Sequence, residues 1–149
     1  NRGFTLFEVV LTIAILGIIM TTVIPSFSKF RDSSLLNTES LDIVSFMNNA
    51  RLSSMSSVGD LEYGVHFDAD KVVMFSTPVY VAGNGTNKTR TLSSKLNFVD
   101  TAVEGGGSDV IFKKVTGATN KYATTSLKFV SSTASTTFVI RPSGAVIAY

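Results

Sequence analysis

The sequence predicts an α+β fold: one long N-terminal α-helix, apolar in its first half, packed on an antiparallel β-sheet. Three observations carry this expectation. The chain opens with an apolar run, Phe4 to Phe27, that holds a single charge, Glu8. No glycine interrupts the chain between Gly17 and Gly59, and the run passes into an amphipathic stretch. After Gly59 the apolar residues change from helical spacing to alternation.

As a helix, Phe4 to Ile24 rises roughly 1.5 Å per residue. The total of about 30 Å matches the hydrocarbon thickness of a bilayer. Arg2 precedes this segment, and Lys29 and Arg31 follow it. Asp32 to Val58 is amphipathic: Leu36, Ile43, Met47 and Ala50 recur at helical spacing, with Phe46 beside them. The helix is expected from about Thr5 to about Ser57, with Gly59-Asp60 as its stop. Pro25 lacks a backbone N–H and is expected to bend or loosen it.

Alternation then marks the strands. Tyr63, Val65 and Phe67 interleave with Glu62, Gly64 and His66, and Asp68-Ala69-Asp70 turns the chain into a return strand, Lys71 to Ser76. Pro78 to Val81 is expected to continue pairing at an edge. Further strands are expected at Lys95–Val99, Val110–Lys113, Leu127–Val130, Phe138–Arg141 and Ala145–Tyr149, about seven in all. Gly83 to Asn87 and Gly105 to Gly107 read as loops, and Pro142-Ser143-Gly144 as a tight turn. The expected organisation is residues 1–3 as residual leader, 4–28 as apolar membrane or filament-core helix, and 29–149 as globular domain. That domain divides into an amphipathic helical half, 29–58, and a sheet, 60–149.

Composition narrows function by exclusion. The 149 residues carry a formal net charge of +2, and the chain has no cysteine and one histidine. Disulfides and cysteine metal sites are therefore impossible, a zinc site is implausible, and no charge bias points to nucleic acid. The mean hydropathy of +0.30 is high for a soluble domain and comes largely from Phe4–Ile24. His66 falls on the polar side of its strand and is expected to be exposed. Asp68 and Asp70 read as a turn and not as calcium ligands. Asn84-Gly85-Thr86 and Asn87-Lys88-Thr89 match a glycosylation sequon by chance. Lys113, Lys114, Lys121 and Lys128 read as a solvated face, because stacking aromatics are not interleaved with them. No phosphate loop, nucleophile elbow or acid pair is present. No catalytic, cofactor-binding or metal-binding residue is assigned, and the chain is not expected to be an enzyme.

The hexapeptide Gly3-Phe4-Thr5-Leu6-Phe7-Glu8, joined to an apolar helix, resembles the prepilin peptidase site of type IV pilins and type II secretion pseudopilins. Gly17 and Pro25 sit where many helices of that family carry Gly and Pro. The resemblance implies a pilin-like fold, cleavage after Gly3, N-methylation of Phe4, and an assembly role for Glu8 with Phe4. It also implies helix flexibility at Gly17 and Pro25. More weakly, Tyr63-Gly64-Val65-His66-Phe67 and Val139-Ile140-Arg141-Pro142-Ser143-Gly144 resemble strands of the GspH/FimT-type pseudopilins and minor pilins.

The residues support a polymer role on their own terms. A lone carboxylate in an apolar helix is costly in lipid without a partner. A neighbouring subunit's Phe4 amine would neutralise Glu8 and set a filament register. In a plain anchor, Glu8 would snorkel to the membrane surface. Between Gly17 and Pro25, Thr21 and Thr22 would satisfy carbonyls freed by local melting. The implied partners are copies of this chain in a helical filament, other pilins, prepilin peptidase and the cytoplasmic membrane. The implied location is that membrane before assembly, then a surface pilus or the periplasm. The alternatives are a type II secretion pseudopilin and a membrane-anchored adhesin or DNA-receptor module.

Overall fold

The computed structural model describes residues 3–131 and 133–149, and within the first helix the side chains of 22–26 fall outside that description. The chain divides into two compact units, Asn1–Leu35 and Leu36–Tyr149. Helix α1, Leu6–Met55, is 50 residues long and supplies most of the first unit and the opening of the second. Its early hydroxyls fold back onto the helix: Thr12 Oγ1 donates to Val9 O at 2.8 Å and Thr21 Oγ1 to Ile18 O at 2.7 Å. Such bonds satisfy a polar side chain inside an apolar sequence.

Among the described residues no helix is long and apolar enough to cross a membrane. The described apolar side chains extend only from 6 to 21, about 24 Å of helix against the roughly 30 Å of a bilayer core. The bilayer-length span expected over Phe4–Ile24 is therefore not supported among those residues.

In the second unit the helix buries one stripe, Leu36, Ser40, Ile43, Met47, Ala50 and Ser54. The steps of three and four residues keep these positions on one face. The helix ends at Met55, two residues before the expected boundary. Ser57 then adopts a left-handed conformation (φ 47°) and begins a 3-10 turn, Val58–Asp60, with Gly59 at φ 63°.

Eight strands follow among the described residues: β1 Tyr63–Phe67, β2 Lys71–Phe75, β3 Lys88–Thr91, β4 Leu96–Val103, β5 Asp109–Phe112, β6 Ala123–Phe129, β7 Ser135–Ile140 and β8 Val146–Ala148. They form two four-stranded sheets, ordered β3-β2-β1-β5 and β4-β6-β7-β8, with every pairing antiparallel. The α+β class with a helix on antiparallel strands stands, but the single expected sheet is two. The cause is β5, which leaves its sequence neighbours to pair with β1, Val65 opposite Val110. The expected edge strand at Pro78–Val81 is irregular chain, and β3 forms instead at Lys88–Thr91, where no element was expected. Strand β3 alternates Lys88 and Arg90 with threonines, so it carried no apolar period to find.

The core joins both sheets. On β1, Val65 and Phe67 are buried, as are Ile43, Met47 and Ala50 of the helix. The Phe67 ring meets Phe98 of β4 edge-on at 5.5 Å, and Phe98 meets Phe138 of β7 at 6.4 Å. Tyr63 N donates to Ser54 Oγ at 2.8 Å, which ties the sheet to the buried helix stripe. Farther along α1, Arg51 reaches two turns: Nε donates to Gly117 O at 3.2 Å and Nη2 to Ser143 O at 3.4 Å. Gly144 (φ 78°) lies so close to Gly117 that an added Cβ would fall 1.8 Å from its carbonyl oxygen. Only glycine fits there.

Candidate functional site: the N-terminal segment

The start of α1 is fixed by a capping box. Glu8 N donates to Thr5 Oγ1 at 3.3 Å, while Glu8 Oε2 accepts from Thr5 N at 3.4 Å. Val9 N closes the first turn onto Thr5 O at 3.3 Å. Threonine at the cap with glutamate three residues on is the reciprocal pattern that satisfies two orphan N–H groups. A carboxylate in the first turn also faces the positive end of the helix dipole. The spacing Thr5-Leu6-Phe7-Glu8 carries this signal, but the sequence reading gave Glu8 a partner chain or the membrane surface and not its own helix start. The structure adds a role inside its own chain.

These capping bonds are long and exposed. They hold the carboxylate beside Thr5 N, one residue from the peptide N–H of Phe4. Cleavage after Gly3 would turn that N–H into a free amine. Gly3 and Phe4 are both exposed, Phe4 at 84%. The Gly3–Phe4 peptide bond is thus accessible at the foot of the helix. Asn1 and Arg2, read as the tail of a leader, lie outside the described residues.

Beyond the cap the helix offers apolar surface on all sides. Leu6, Phe7, Val10, Ile13, Leu16, Ile18, Ile19 and Met20 are all exposed, and Phe27 and Phe30 continue the pattern. Consecutive and i+3 positions are both apolar, so the surface is a sleeve and not a stripe. Such a sleeve cannot be satisfied by one neighbouring face. Gly17 lies on it with nothing within 4 Å of where a Cβ would stand. The sleeve is therefore notched at Gly17, and the notch admits a close neighbour. Pro25 and Thr22 lie outside the described side chains. Melting between Gly17 and Pro25 remains an expectation about the assembled state.

His66 is not the exposed residue expected from its place on the polar side of β1. It is half-buried, and its Nδ1 lies 2.5 Å from Asp109 Oδ1. Asp109 comes from 43 residues away, which no local pattern revealed. Asn84 forms a turn in which its Oδ1 accepts from Thr86 N at 3.0 Å. Lys114 is bound to Asp60 Oδ1 at 2.9 Å. Asp68 accepts the Ala69 N–H at 2.9 Å, and this bond, aided by Lys71, holds its carboxyl below the usual range despite some desolvation.

Residues 1–24 match the family model of the prokaryotic N-terminal methylation motif. This is the signature of type IV pilins and pseudopilins, and the chain carries it over its capped, apolar N-terminus. Nothing found supports the narrower GspH/FimT-type resemblance. Neither a curated protein nor a solved structure matched the chain.

Proposed function

We propose that the chain is a structural subunit of a type IV pilus-like filament. It is membrane-anchored before assembly and polymerises through α1. The methylation motif over residues 1–24 supports a pilin or pseudopilin, a structural subunit and not an enzyme. The single observation that carries the filament reading is the apolar sleeve. From Phe4 to Met20 the helix exposes large aliphatic and aromatic side chains on all sides, with one charge among them. Exposed apolar area of this extent drives burial against copies of itself, at roughly 25 cal/mol per Å².

In this reading prepilin peptidase cuts after Gly3 and the new Phe4 amine is methylated. The sleeve is extracted from lipid into a filament core of parallel helices. There Glu8 leaves its weak cap and pairs with the Phe4 amine of a neighbouring subunit. A buried carboxylate requires such a partner, and the cap bonds are loose enough to yield it. Other pilins and the peptidase are the implied partners.

The test is mechanical shearing of the producing cells, followed by electron microscopy and immunoblotting of the released material. The pilus reading expects the chain in extracellular filaments. A chain that stays in the periplasm and is needed for protein export would make it a secretion pseudopilin. A processed chain that never leaves the membrane fraction would make it an anchored receptor or adhesin.

A further inference from the structure

On the outer face of the first sheet, β1 presents Gly64 and His66, β2 presents Val73 and Phe75, and β5 presents Asp109 and Ile111. This follows from the register, which sets His66 opposite both Val73 and Asp109, and Gly64 opposite Phe75 and Ile111. A face turned away from the helix would ordinarily be solvated. Here Val73 and Phe75 are only 2% and 1% exposed. The cover includes the irregular segment 76–82, which passes back across the sheet as a strap. Its Tyr80 ring stacks on the His66 imidazole at 3.8 Å and 10°, and leans on Phe75 at 5.6 Å. The Phe75 ring rests on Gly64, where an added Cβ would stand 2.6 Å from Cζ. The strap's own apolar residues Val79 and Val81 point largely to solvent, 67% and 53% exposed. Tyr80 is therefore its chief anchor to the sheet. Beside it lies a cleft of about 420 Å³, walled by Pro78 and Val79 of the strap and by Asp109, Ile111 and Lys121 of the domain.

We infer that the His66–Asp109–Tyr80 stack is a pH-sensitive latch that sets how firmly the strap 76–82 closes over the sheet and its cleft. Histidine is the side chain whose charge ordinarily changes between about pH 5 and 8, and His66 is the chain's one histidine. When the imidazole is charged, its bond to Asp109 is charge-assisted and its contact with Tyr80 is a cation on an aromatic face. When it is neutral, both contacts weaken. The charged groups around it are Asp109 on β5, Asp68 on the β1–β2 turn, and Lys71 on β2, which is itself paired with Asp68 at 3.5 Å. Glu62, Lys113 and Lys121 line the cleft together with Asp109. The strap is thus held hardest in mild acid and loosens as the pH rises through the histidine range.

The experiment is amide hydrogen exchange of peptides covering 76–82, on the full chain in detergent solution. Exchange is measured at pH 5.5 and pH 8 and normalised to the intrinsic chemical rate at each pH. A cation–aromatic contact of this kind corresponds to roughly two- to fivefold greater protection at pH 5.5. His66→Gln should make the protection independent of pH. Tyr80→Leu should do the same for the strap while the imidazole signals still titrate by NMR. Equal protection of the wild type at the two pH values overturns the latch, and so does a His66→Gln chain that keeps the difference. If His66→Gln fails to fold by circular dichroism, Tyr80→Leu decides. Loss of the pH difference supports the latch, and its persistence overturns it.

Discussion

Glu8 has two candidate jobs, and three substitutions separate them. Inside the chain it completes the Thr5 capping box through bonds of 3.3 and 3.4 Å at an exposed site. Between chains, on the filament proposal, it neutralises a buried Phe4 amine. Glu8→Gln keeps a capping-box residue and removes the charge. Thr5→Ala keeps the charge and removes the cap. Glu8→Ala removes the charge and the carboxylate half of the box, and leaves the residue-8 N–H on Thr5 Oγ1. Loss of a cap typically costs about 1 kcal/mol, less than a factor of ten in any equilibrium. Stranding one partner of a buried ion pair costs about 3–5 kcal/mol. At about 1.4 kcal/mol per tenfold, that weakens subunit addition by roughly a hundred- to several-thousandfold. Sheared filament yield should therefore collapse for Glu8→Gln and Glu8→Ala, and stay near wild type for Thr5→Ala. The domain, reported by its melting curve, should be unaffected in all three. Wild-type yield from Glu8→Gln refutes the charge argument. Equal loss from Thr5→Ala and Glu8→Gln would make helix capping the essential function.

Four further outcomes are expected. Mass analysis of native filaments should give an N-terminal peptide that starts at a methylated Phe4, and a peptide starting at Asn1 or upstream would contradict the processing site. Phe67→Ala removes a buried ring that contacts Phe98, a change worth about 3–5 kcal/mol. At roughly 2–4 °C per kcal/mol for a chain of this size, the thermal midpoint should fall by about 10 °C, and an unchanged curve would refute this packing. Gly144→Ala sets a methyl group against the Gly117 carbonyl at positive φ, and should destabilise the domain far more than Gly85→Ala, where nothing lies within 4 Å. The Asp68 carboxyl titrates lower when folded than when unfolded. It therefore adds stability above the unfolded carboxylate range near pH 4 and loses it as the pH falls through the folded value. Asp68→Asn should flatten that acid limb of a pH–stability profile.

Much of this architecture was legible because it repeats locally. The buried stripe from Leu36 to Ala50 follows helical spacing, and β1 alternates, so both were readable from the residue order. What escaped was non-local or lacked an apolar period. Strand β3 is polar on both sides and is recognisable only through its pairing with β2. Two sheets looked like one because nothing in Asp109–Phe112 announces that it crosses to β1. The outer face of β1 was expected to be wet, yet Val73 and Phe75 on the adjacent strand already signalled cover on both sides of β2. At the N-terminus the motif residues were readable singly. Thr5 and Glu8 as a reciprocal pair were equally available in the sequence, but a carboxylate in an apolar run draws attention to distant partners before near ones.

Arg51 ties together parts of the domain that are far apart along the chain. Its hydrogen bonds span 66 residues to Gly117 and 92 to Ser143. Closing loops of that length is entropically slow, and nothing rewards the closure until both ends exist. The chain is synthesised from the N-terminus. The apolar helix has therefore emerged long before residues near 144 arrive to clamp its second half. On the membrane-anchored function proposed above, insertion would precede folding through chain topology alone. On that proposal, a defect in the last hairpin would leave subunits delivered to the membrane with open domains, exposed to the proteases there and missing from the assembling pool.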